Sequence, residues 1–371
     1  MSVARLLAVD VGTGTTDILV YEPGRPAENS PKLVVPSATQ AAAARIAAAT
    51  TGRRPVVFAG ATMGGGPVTA AARRHLAAGL EFFATQAAAL TFDDDLERVT
   101  ATGVRLVGDD EVTDLERTGA ERVRSGDLDL AALLDTFARL GLPTTFAGAC
   151  IAAQDHGYSP SGSNRVLRFG LWRRALAERA PLDALVYEAA DIPAELTRLR
   201  AAAAELAALP RVVAADTGTA ALLGALEARD EVDGAGRTDA GVRGGAAGDA
   251  VLVNVGNGHT VCAVALQGRI AGVYEDHTSR LDAGSLKTNL RRFLAGELGD
   301  DEVRQAGGHG AALGGPVPAG LPLLVTGPHR ELLRAGGLAA EFPAPYGDMM
   351  MTGPAGLVAA WLRRHGGQPG D

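Results

Sequence analysis

Two glycine- and threonine-rich segments carry residue types that could bind a phosphate group. The first, DVGTGTTD, runs from Asp10 to Asp17. Glycine has no Cβ, so nearby backbone N–H groups can approach an anion closely, and threonine hydroxyls add further donors. Asp10 could also hold a hydrated Mg²⁺ ion, because carboxylate oxygens are ligands that this ion prefers. The same residues make ordinary β-turns, so this segment alone does not decide between the two interpretations.

The second segment, NVGNGHT, runs from Asn254 to Thr260 and repeats the polar–apolar–Gly–X–Gly–X–Thr pattern. Neither segment is a Walker A loop, since GxxxxGK[ST] is absent from the sequence. Neither is a dinucleotide-binding fingerprint, because each glycine turn leads into a strand and not into a helix. Two such turns could hold one polyphosphate from both sides. The residues expected to bind it are Gly12, Thr13, Gly14, Thr15, Thr16, Asn254, Gly256, Asn257, Gly258 and Thr260.

The elements around the two segments are β-rich runs, and each set predicts a hairpin. Elsewhere predicted strands alternate with predicted helices, which indicates an α/β protein. The similarity of the two hairpins points to two lobes built on one plan. The predicted strands are Leu6–Val11, Asp17–Tyr21, Lys32–Pro36, Pro55–Gly60, Pro143–Ala153, Arg211–Ala215, Ala250–Val255, Thr260–Gln267, Arg269–Tyr274 and Pro322–Val325. The predicted helices are Ala41–Ala49, Val68–Ala78, Asp127–Leu140, Ala194–Ala208, Ala220–Arg229, Ser285–Leu294 and Gly353–Arg363.

The segments between these elements are less regular. Arg98–Asp114 is interpreted as further strand and turn, and Ser163–Arg174 as a basic segment. Residues 231–249 combine glycine, alanine and charge without periodicity, which predicts a flexible surface loop.

Composition excludes several functions. The 371 residues carry a net charge of −8, and no face-forming cluster of Lys and Arg predicts nucleic-acid binding. Neither a signal peptide nor an apolar run of about 18 residues is visible, which predicts a cytoplasmic protein without a membrane span. The two cysteines, Cys150 and Cys262, lie in apolar runs and are expected to be buried reduced thiols. They cannot form a CxxC pair or the Cys triplet of an iron–sulfur cluster.

The order of these elements resembles the superfamily of sugar and acetate kinases, heat-shock-protein ATPases and actin. Leu6–Tyr21 resembles the first phosphate motif and Val251–Tyr274 the second. Asp216–Leu222 resembles the connecting helix that precedes the second motif. Leu323–Pro328 resembles the strand and turn that contact adenosine, and Gly353–Arg363 the second connecting helix.

The resemblance implies an α/β fold of two ribonuclease-H-like lobes with a nucleotide cleft between them. Lobe I would span residues 1–209 with a family-specific insertion, and lobe II residues 210–340. Residues 341–365 would return as a helix to lobe I, and residues 366–371 would form a disordered tail. The implied cofactors are ATP and Mg²⁺, with Asp10 as metal ligand and Gly327 facing the adenosine.

One position departs from the superfamily pattern. The second phosphate motif usually begins with Asp, whereas this sequence has Asn254. A neutral amide cannot act as a base or neutralise Mg²⁺. Asp216 could supply the missing carboxylate, or it could cap the helix that follows it, and the two roles are compatible.

A narrower resemblance rests on the strings MGGGP, DHG, SNR, DTGTAALLGAL, NVGNGH, GHGA, TGPHR and YGDMMMTG. Together they look like a largely uncharacterised prokaryotic family whose members are often labelled as related to the pyruvate formate-lyase activating enzyme. Such activases hold an iron–sulfur cluster through a Cys triplet, and this chain lacks one. The label could instead record an association with radical-enzyme pathways.

Five histidines lie beside loop glycines or acids: His156, His259, His277, His309 and His329. No HxH or HxxxH spacing indicates a metal site. Each is therefore interpreted as capping a strand end or donating to a backbone carbonyl. For acid–base chemistry a single histidine is expected, with His259 favoured over His156 because it lies inside the phosphate turn.

A second group of polar segments could bind a substrate beside the nucleotide. The glycine run after the fourth predicted strand could meet an anion at a helix N-terminus, and arginines after the DHG loop could hold a carboxylate or phosphate. A flexible connection and surface salt bridges are the alternatives. The candidate substrate-binding residues are Gly64, Gly65, Gly66, Asp155, His156, Asn164 and Arg165.

The sequence predicts an ATP-dependent enzyme, either a small-molecule kinase or an ATPase, with Asp10, Asp216 and His259 as catalytic residues. One alternative is a nucleotide-dependent switch that activates a partner enzyme, for example in a radical-enzyme pathway. Another is a scaffold that has lost nucleotide binding. The substrate and the oligomeric state stay open.

Overall fold

The computed structural model describes residues 5–232 and 248–366. Residues 233–247 of the predicted loop 231–249, and residues 367–371 of the predicted tail 366–371, lie outside the described residues. Within the described ranges, no helix is both long and apolar enough to cross a membrane. Both cysteines are free and buried, as expected, and burial raises the pKa of each thiol.

The strands are β1 Leu6–Val11, β2 Thr15–Tyr21, β3 Lys32–Pro36, β4 Val56–Gly60, β5 Phe82–Thr85, β6 Arg105–Val107, β7 Glu121–Ser125, β8 Gly148–Ala153, β9 Val186–Glu188, β10 Val212–Ala215, β11 Ala250–Val255, β12 His259–Leu266, β13 Arg269–His277, β14 Gly310–Leu313 and β15 Leu323–Thr326. The α-helices are α1 Ala38–Thr51, α2 Gly66–Ala77, α3 Gln86–Ala89, α4 Leu96–Ala101, α5 Val112–Arg117, α6 Leu130–Arg139, α7 Asn164–Ala177, α8 Thr197–Ala204, α9 Thr217–Val232, α10 Ala283–Leu294, α11 Asp300–Gln305, α12 Glu331–Ala335 and α13 Thr352–His365.

The first sheet has six strands in the order β3-β2-β1-β8-β10-β9. Its first three strands form an antiparallel meander, and β1 then pairs in parallel with β8. All six residues of β1 are buried. A strand covered on both faces is expected to read as a continuous apolar run, and LLAVDV does so except at Asp10.

The second sheet repeats this plan over its first four strands. Its order is β14-β13-β12-β11-β15. Here β11, β12 and β13 form the antiparallel meander, and β11 pairs in parallel with β15. The similarity of the two predicted hairpins therefore extends to strand order and direction.

Two helices lie between these sheets. Helix α9 contacts β11 and β15 of the second sheet, whereas α13 contacts β1 and β8 of the first, and the two helices pack on each other. Their crossing is close because it is made of glycine: a Cβ built on Gly224 would lie 1.8 Å from the Thr352 carbonyl oxygen, and one on Gly356 would lie 2.1 Å from that of Ala220. One apolar core joins both helices to both sheets.

A third sheet, β6-β5-β4-β7, is parallel throughout and has its own apolar core. Its strands lie between residues 56 and 125, where none of the motifs that resemble the superfamily is found. Two less regular segments are partly helical. Arg98–Asp114, predicted as strand and turn, contains the short strand β6 and turns, but both of its ends are helical. The basic segment Ser163–Arg174, for which no element was predicted, contains the start of helix α7.

Candidate functional site

The first glycine turn joins β1 to β2. It is closed by a hydrogen bond of 2.9 Å from the Gly12 N–H to the Thr15 carbonyl oxygen. Ser37 supports it from outside, because its hydroxyl donates to the Thr13 carbonyl at 2.8 Å and its N–H donates to Gly14 at 3.1 Å. The turn is therefore held by backbone and serine contacts, which leaves the threonine hydroxyls unneeded for closure.

The second glycine turn, between β11 and β12, has the same closure. The Gly256 N–H donates to the His259 carbonyl oxygen at 2.9 Å. The two turns face each other closely: a Cβ on Gly14 would lie 2.6 Å from the Asn257 amide nitrogen, and one on Gly258 would lie 3.3 Å from the Thr13 hydroxyl. Both turns thus border one space.

That space is a pocket of about 670 Å³, part of it open to solvent, and both sheets contribute to its walls. Helices α9 and α13 begin at it. Free N–H groups in a first helical turn carry partial positive charge and favour an anion. The lining residues are Asp10, Gly12, Thr13, Thr15, Asp17, Gln154, Arg168, Asp216, Thr217, Gly218, Ala221, Asn254, Gly256, Asn257, Gly258, His259, Val261, Thr326, Gly327, Pro328, Met349, Met350, Thr352 and Gly353.

A pair of buried carboxyl groups lies beside the first turn. Asp10 and Asp17 are directly opposite each other across β1 and β2. Burial raises the pKa of Asp10 well above its usual value, Asp17 raises it further, and a hydrogen bond from Thr217 partly offsets this. Burial likewise raises the pKa of Asp17 to about 7. One oxygen of each carboxyl, the Oδ1 atom, is buried without a hydrogen-bond partner.

The second turn lacks such a pair. Asn254 occupies the position in β11 that corresponds to Asp10 in β1, and its partner across β12 is Val261. Gly327 follows β15 at φ +96°, and a Cβ there would lie 2.6 Å from the Asn254 side-chain oxygen. Only glycine allows the chain to approach Asn254 this closely without strain.

Asp216 is engaged by an arginine. Arg168 of α7 donates to both of its oxygens, at 2.5 and 2.9 Å, and also to Glu275 of β13 at 2.8 Å. Burial alone would raise the pKa of Asp216, but Arg168 outweighs it and lowers that pKa. Asp216 also accepts the Gly218 N–H at 2.9 Å, as expected of a helix cap. A carboxylate held this way is a poor general base.

Four of the five loop histidines come together at one end of the pocket. The ring centres of His156, His259, His277 and His309 are 4.6 to 5.7 Å apart in five pairs. Burial lowers the pKa of His156 to about 3, and also lowers the pKa of His259 and His309, so these rings are neutral at pH 7. The prediction that each histidine bonds a backbone group is wrong for His309, because neither of its ring nitrogens has a partner.

Several residues predicted to bind the nucleotide do not line the pocket. Gly14 lies against Asn257 behind it. Thr16 and Thr260 are buried in their strands, and the Thr260 hydroxyl bonds that of Thr278 at 3.0 Å. The other eight predicted phosphate and adenosine contacts line the pocket together: Gly12, Thr13, Thr15, Asn254, Gly256, Asn257, Gly258 and Gly327.

The candidate substrate residues are mostly engaged in structural contacts. Asn164 donates to Asp94, and Arg165 donates to the Gly307 carbonyl. Asp155 is buried and accepts two backbone N–H groups, as an Asx turn does. The Gly64 N–H donates to Asp127 at 3.3 Å, while Gly65 and Gly66 form the start of α2. Of this group, His156 alone belongs to the histidine cluster.

Sequence reasoning missed several residues of the site. Asp17 was visible as the acid that closes DVGTGTTD, but only strand register shows that it faces Asp10. Glu275 and His309 looked unrelated because they are far apart in the sequence, and only the pairing of β13 with β14 brings them together. Arg168 is one of the arginines after the DHG loop that could hold an anion, and in the structure it joins α7 to Asp216 and to the second sheet.

Fold and site together define a mixed α/β protein with a polar pocket between two sheets of the same strand order. The chain belongs to the family described as "Putative pyruvate format-lyase activating enzyme (DUF1786)", whose model matches residues 63–332. This confirms the narrower of the two resemblances.

Solved structures give distant similarities. The ethanolamine utilization protein EutJ from Carboxydothermus hydrogenoformans is 12% identical over 97% of this chain and 90% of that chain, with a TM-score of 0.35. The Aquifex aeolicus PPX-GPPA enzyme is 7% identical over 97% and 92%, with a TM-score of 0.27. A comparison with curated proteins finds no match.

Proposed function

We propose that this protein binds a Mg²⁺-nucleotide complex, with ATP as the first candidate, in the pocket between its two similar sheets. The two sheets and their helices would act as two lobes, with β10, Val212–Ala215, belonging to the first and residues 341–365 returning to it. The observation that carries the proposal is the Asp10–Asp17 pair, whose buried, partnerless oxygens lie beside two facing glycine turns.

The carboxyl pair fits a divalent cation. Two buried acids facing each other are unfavourable when ionised, and a cation between them removes both the repulsion and the lack of partners. Mg²⁺ takes oxygen ligands, is commonly held through one or two carboxylates, and keeps several waters. Asp10 and Asp17 would hold it, and the ion would neutralise phosphate charge.

The remaining walls suit a nucleotide. Backbone N–H groups of both turns and the free ends of α9 and α13 could face phosphates, with Thr13 and Thr15 adding hydroxyl donors. Pro328, Met349 and Met350 give the wall near Gly327 an apolar character that suits a nucleoside. Catalysis, if the protein is a small-molecule kinase or ATPase, would then rest on positioning and charge neutralisation.

A second function is favoured by one observation. Asn254 is neutral, and the carboxylate that could replace it, Asp216, is held by Arg168. Slow turnover suits a nucleotide-dependent switch that binds a partner enzyme. A kinase should consume ATP only when its small-molecule substrate is present, whereas a switch should bind nucleotide and change its affinity for a protein.

Calorimetry with Mg-ATP and a non-hydrolysable analogue tests the binding step. Wild-type protein should bind both, and Asp10→Asn should lose binding by at least about 100-fold, since it removes a charge from the proposed cation site. Asp135→Asn is the control, because Asp135 forms only an exposed pair with Arg139. Wild-type protein that binds no nucleotide, or an Asp10→Asn variant that binds as well as wild type, contradicts the proposal.

A further inference from the structure

The histidine cluster is built by strand register. His259 opens β12 and lies directly opposite His277 at the end of β13. Glu275 is opposite Gly310, which places His309 at the neighbouring start of β14. His156 reaches the same point from the loop that follows β8 of the first sheet. Four imidazoles from two sheets therefore meet, although no two of them are close in sequence.

Three of these side chains have the spacing of metal ligands. His156, His259 and His309 each offer a ring nitrogen within 4.8 Å of the others. The Nε2 atoms of His156 and His259 are 3.4 Å apart. Two imidazole nitrogens bound about 2.0–2.1 Å from a tetrahedral ion lie about 3.3–3.4 Å apart, so this pair already has the required separation. The third ring needs a shift on the order of 1 Å.

His309 also lacks the partners of a structural histidine. Its side chain is fully buried, and both ring nitrogens have no hydrogen-bond partner. His75 shows the usual solution, since its two nitrogens contact the Thr50 hydroxyl at 2.8 Å and the Glu81 carbonyl at 3.1 Å. A buried polar group without partners is destabilising, because it has lost its hydrogen bonds to water. Coordination of one ring nitrogen to a metal ion would offset that cost.

Groups behind the cluster are placed to orient its rings. Gln154 contacts Nδ1 of His259, which leaves Nε2 directed at His156. Glu275 has a buried, partnerless oxygen 4.0 Å from Nδ1 of His309. Carboxylates and amides that hold the second nitrogen of a metal-bound imidazole commonly fix its orientation.

We propose that His156, His259 and His309 bind a divalent first-row transition metal, with Zn²⁺ as the reference ion, beside the second glycine turn. Imidazole suits Zn²⁺, Fe²⁺, Co²⁺ and Ni²⁺, whereas Mg²⁺ prefers oxygen. Three protein ligands leave a coordination position for water or an anion. The positive charge of Arg168 nearby is balanced by Asp216 and Glu275, both of which it pairs with.

The site is independent of the proposed nucleotide function. His259 lines the pocket beside the second turn, and the proposed ligands are imidazoles, whereas the proposed Mg²⁺ site uses the carboxyl groups of Asp10 and Asp17. Metal binding is therefore measured without nucleotide, on full-length protein whose affinity tag has been removed. After chelator treatment and dialysis, Co²⁺ is titrated while its visible absorption is recorded, and Zn²⁺ is then added as a competitor.

Wild-type protein should take up one Co²⁺ per chain, with the intense visible bands of four- or five-coordinate cobalt, and Zn²⁺ should abolish them. His156→Gln and His259→Gln should each weaken binding at least tenfold. Both side chains are only partly buried, so these variants are better suited than His309 variants to stay folded. His329→Gln is the control that should bind Co²⁺ as wild type does, because His329 is exposed and lies outside the histidine cluster.

Equal metal uptake by wild type and the His156→Gln/His259→Gln double variant overturns the proposal, provided that both give the same circular dichroism spectrum. Wild-type protein that leaves cobalt with the weak absorption of the hydrated ion also overturns it. Wild-type protein that binds the metal but no nucleotide would contradict the proposed function and leave the metal-site proposal standing.

Discussion

The two glycine turns share a backbone and differ in charge. Each is closed by a 2.9 Å hydrogen bond across its first glycine, and each joins the first two strands of a meander of the same order. The first turn lies beside two carboxyl groups, Asp10 and Asp17. The second lies beside Asn254, a histidine cluster and Arg168. One scaffold used twice has produced an acidic side of the pocket, with Asp10 and Asp17, and a histidine side, whose imidazoles are neutral and whose Arg168 is paired with Asp216 and Glu275.

In such a turn, the hydrogen bond that closes the backbone and the chemistry of the neighbouring side chains are therefore separate features. The backbone supplies donors on both sides, and they are the same. The side chains decide which ion each side takes: oxygen ligands favour Mg²⁺, and imidazoles favour a transition metal. A polyphosphate held between them would meet a cation site at each end.

The largest effect is expected from a change at Arg168, on the histidine side of the pocket. Arg168→Met leaves Asp216 and Glu275 buried without their partner, and breaking a buried ion pair in this way costs about 3–5 kcal/mol. We expect the urea midpoint of unfolding to fall accordingly. Arg173→Met, on the same helix, removes only a half-exposed pair with Asp300 and should cost less than about 1 kcal/mol. Equal effects of the two changes on the urea midpoint would show that the buried ion pairs of Arg168 stabilise the fold no more than an exposed pair does.

On the acidic side, Gly353→Ala tests how tightly α13 encloses Asp10. A Cβ on Gly353 would lie 1.8 Å from an oxygen of Asp10, so the carboxyl must move. We expect Mg-nucleotide affinity to fall at least tenfold, measured by calorimetry. Gly170→Ala in α7 is the matched control. A Cβ there meets nothing within 4 Å, so that change should stabilise the helix by about 0.5–1 kcal/mol. Unchanged affinity in Gly353→Ala would mean that Asp10 does not bind the cation.

A smaller effect is expected from Asp17→Asn on the ligand-free protein. The pKa of this carboxyl is about 3.8 when exposed and about 7 when folded, mainly because of burial. Between these values the folded state holds a proton that the unfolded state has released, so stability falls as pH rises through that window. Asn cannot ionise, and the variant should gain on the order of 1–3 kcal/mol at pH 7.5.

Denaturant unfolding of wild type and Asp17→Asn at pH 4 and pH 7.5 measures this difference. The two proteins should converge at pH 4, where the wild-type carboxyl is protonated when folded. A gap of the same size at both pH values would mean that ionisation of the buried Asp17 carboxyl is not its cause. The variant should nevertheless lose Mg-nucleotide affinity, because stability and cation binding make opposite demands on this pair.

The smallest effect is expected from giving the second turn a carboxyl group at the position that corresponds to Asp10 in the first. Asn254→Asp restores the carboxylate that the superfamily usually has. Because Asn254 is buried, with Gly327 and Thr326 close to it, burial disfavours a new charge there, and we expect less than a tenfold increase in ATP hydrolysis. Phosphate release measures it, with Asn289→Asp on α10 as the control. A much larger increase would show that this one amide limits turnover.

Much of the fold could be predicted from sequence, and much of the site could not. The strands of both meanders follow from apolar runs separated by Gly turns, and the structure has them within a few residues. Helix α7 was missed because Asn164–Arg174 is basic, and its apolar face is short. The charged residues in this segment obscure the helical spacing of its apolar residues.

The site depends on contacts between strands that local patterns do not contain. Asp10 and Asp17 could be found in one motif, but their mutual burial depends on α13, far away in the chain. The histidines carried no ligand spacing because their order comes from strand register: His259 and His277 are opposite each other only when β12 and β13 pair as they do. A signal was present, since each histidine lies at a strand end next to a turn.

The glycine crossing of α9 and α13 has a mechanical consequence. Helices that interlock through large side chains resist sliding, because ridges on one must climb out of grooves on the other. Here Gly224 and Gly356 bring backbone against backbone at the crossing point, with Leu223 packed beside Gly356. Such a contact would fix the distance between the two sheets while leaving the angle between them comparatively free to change. The width of the pocket would then be set by whatever occupies it.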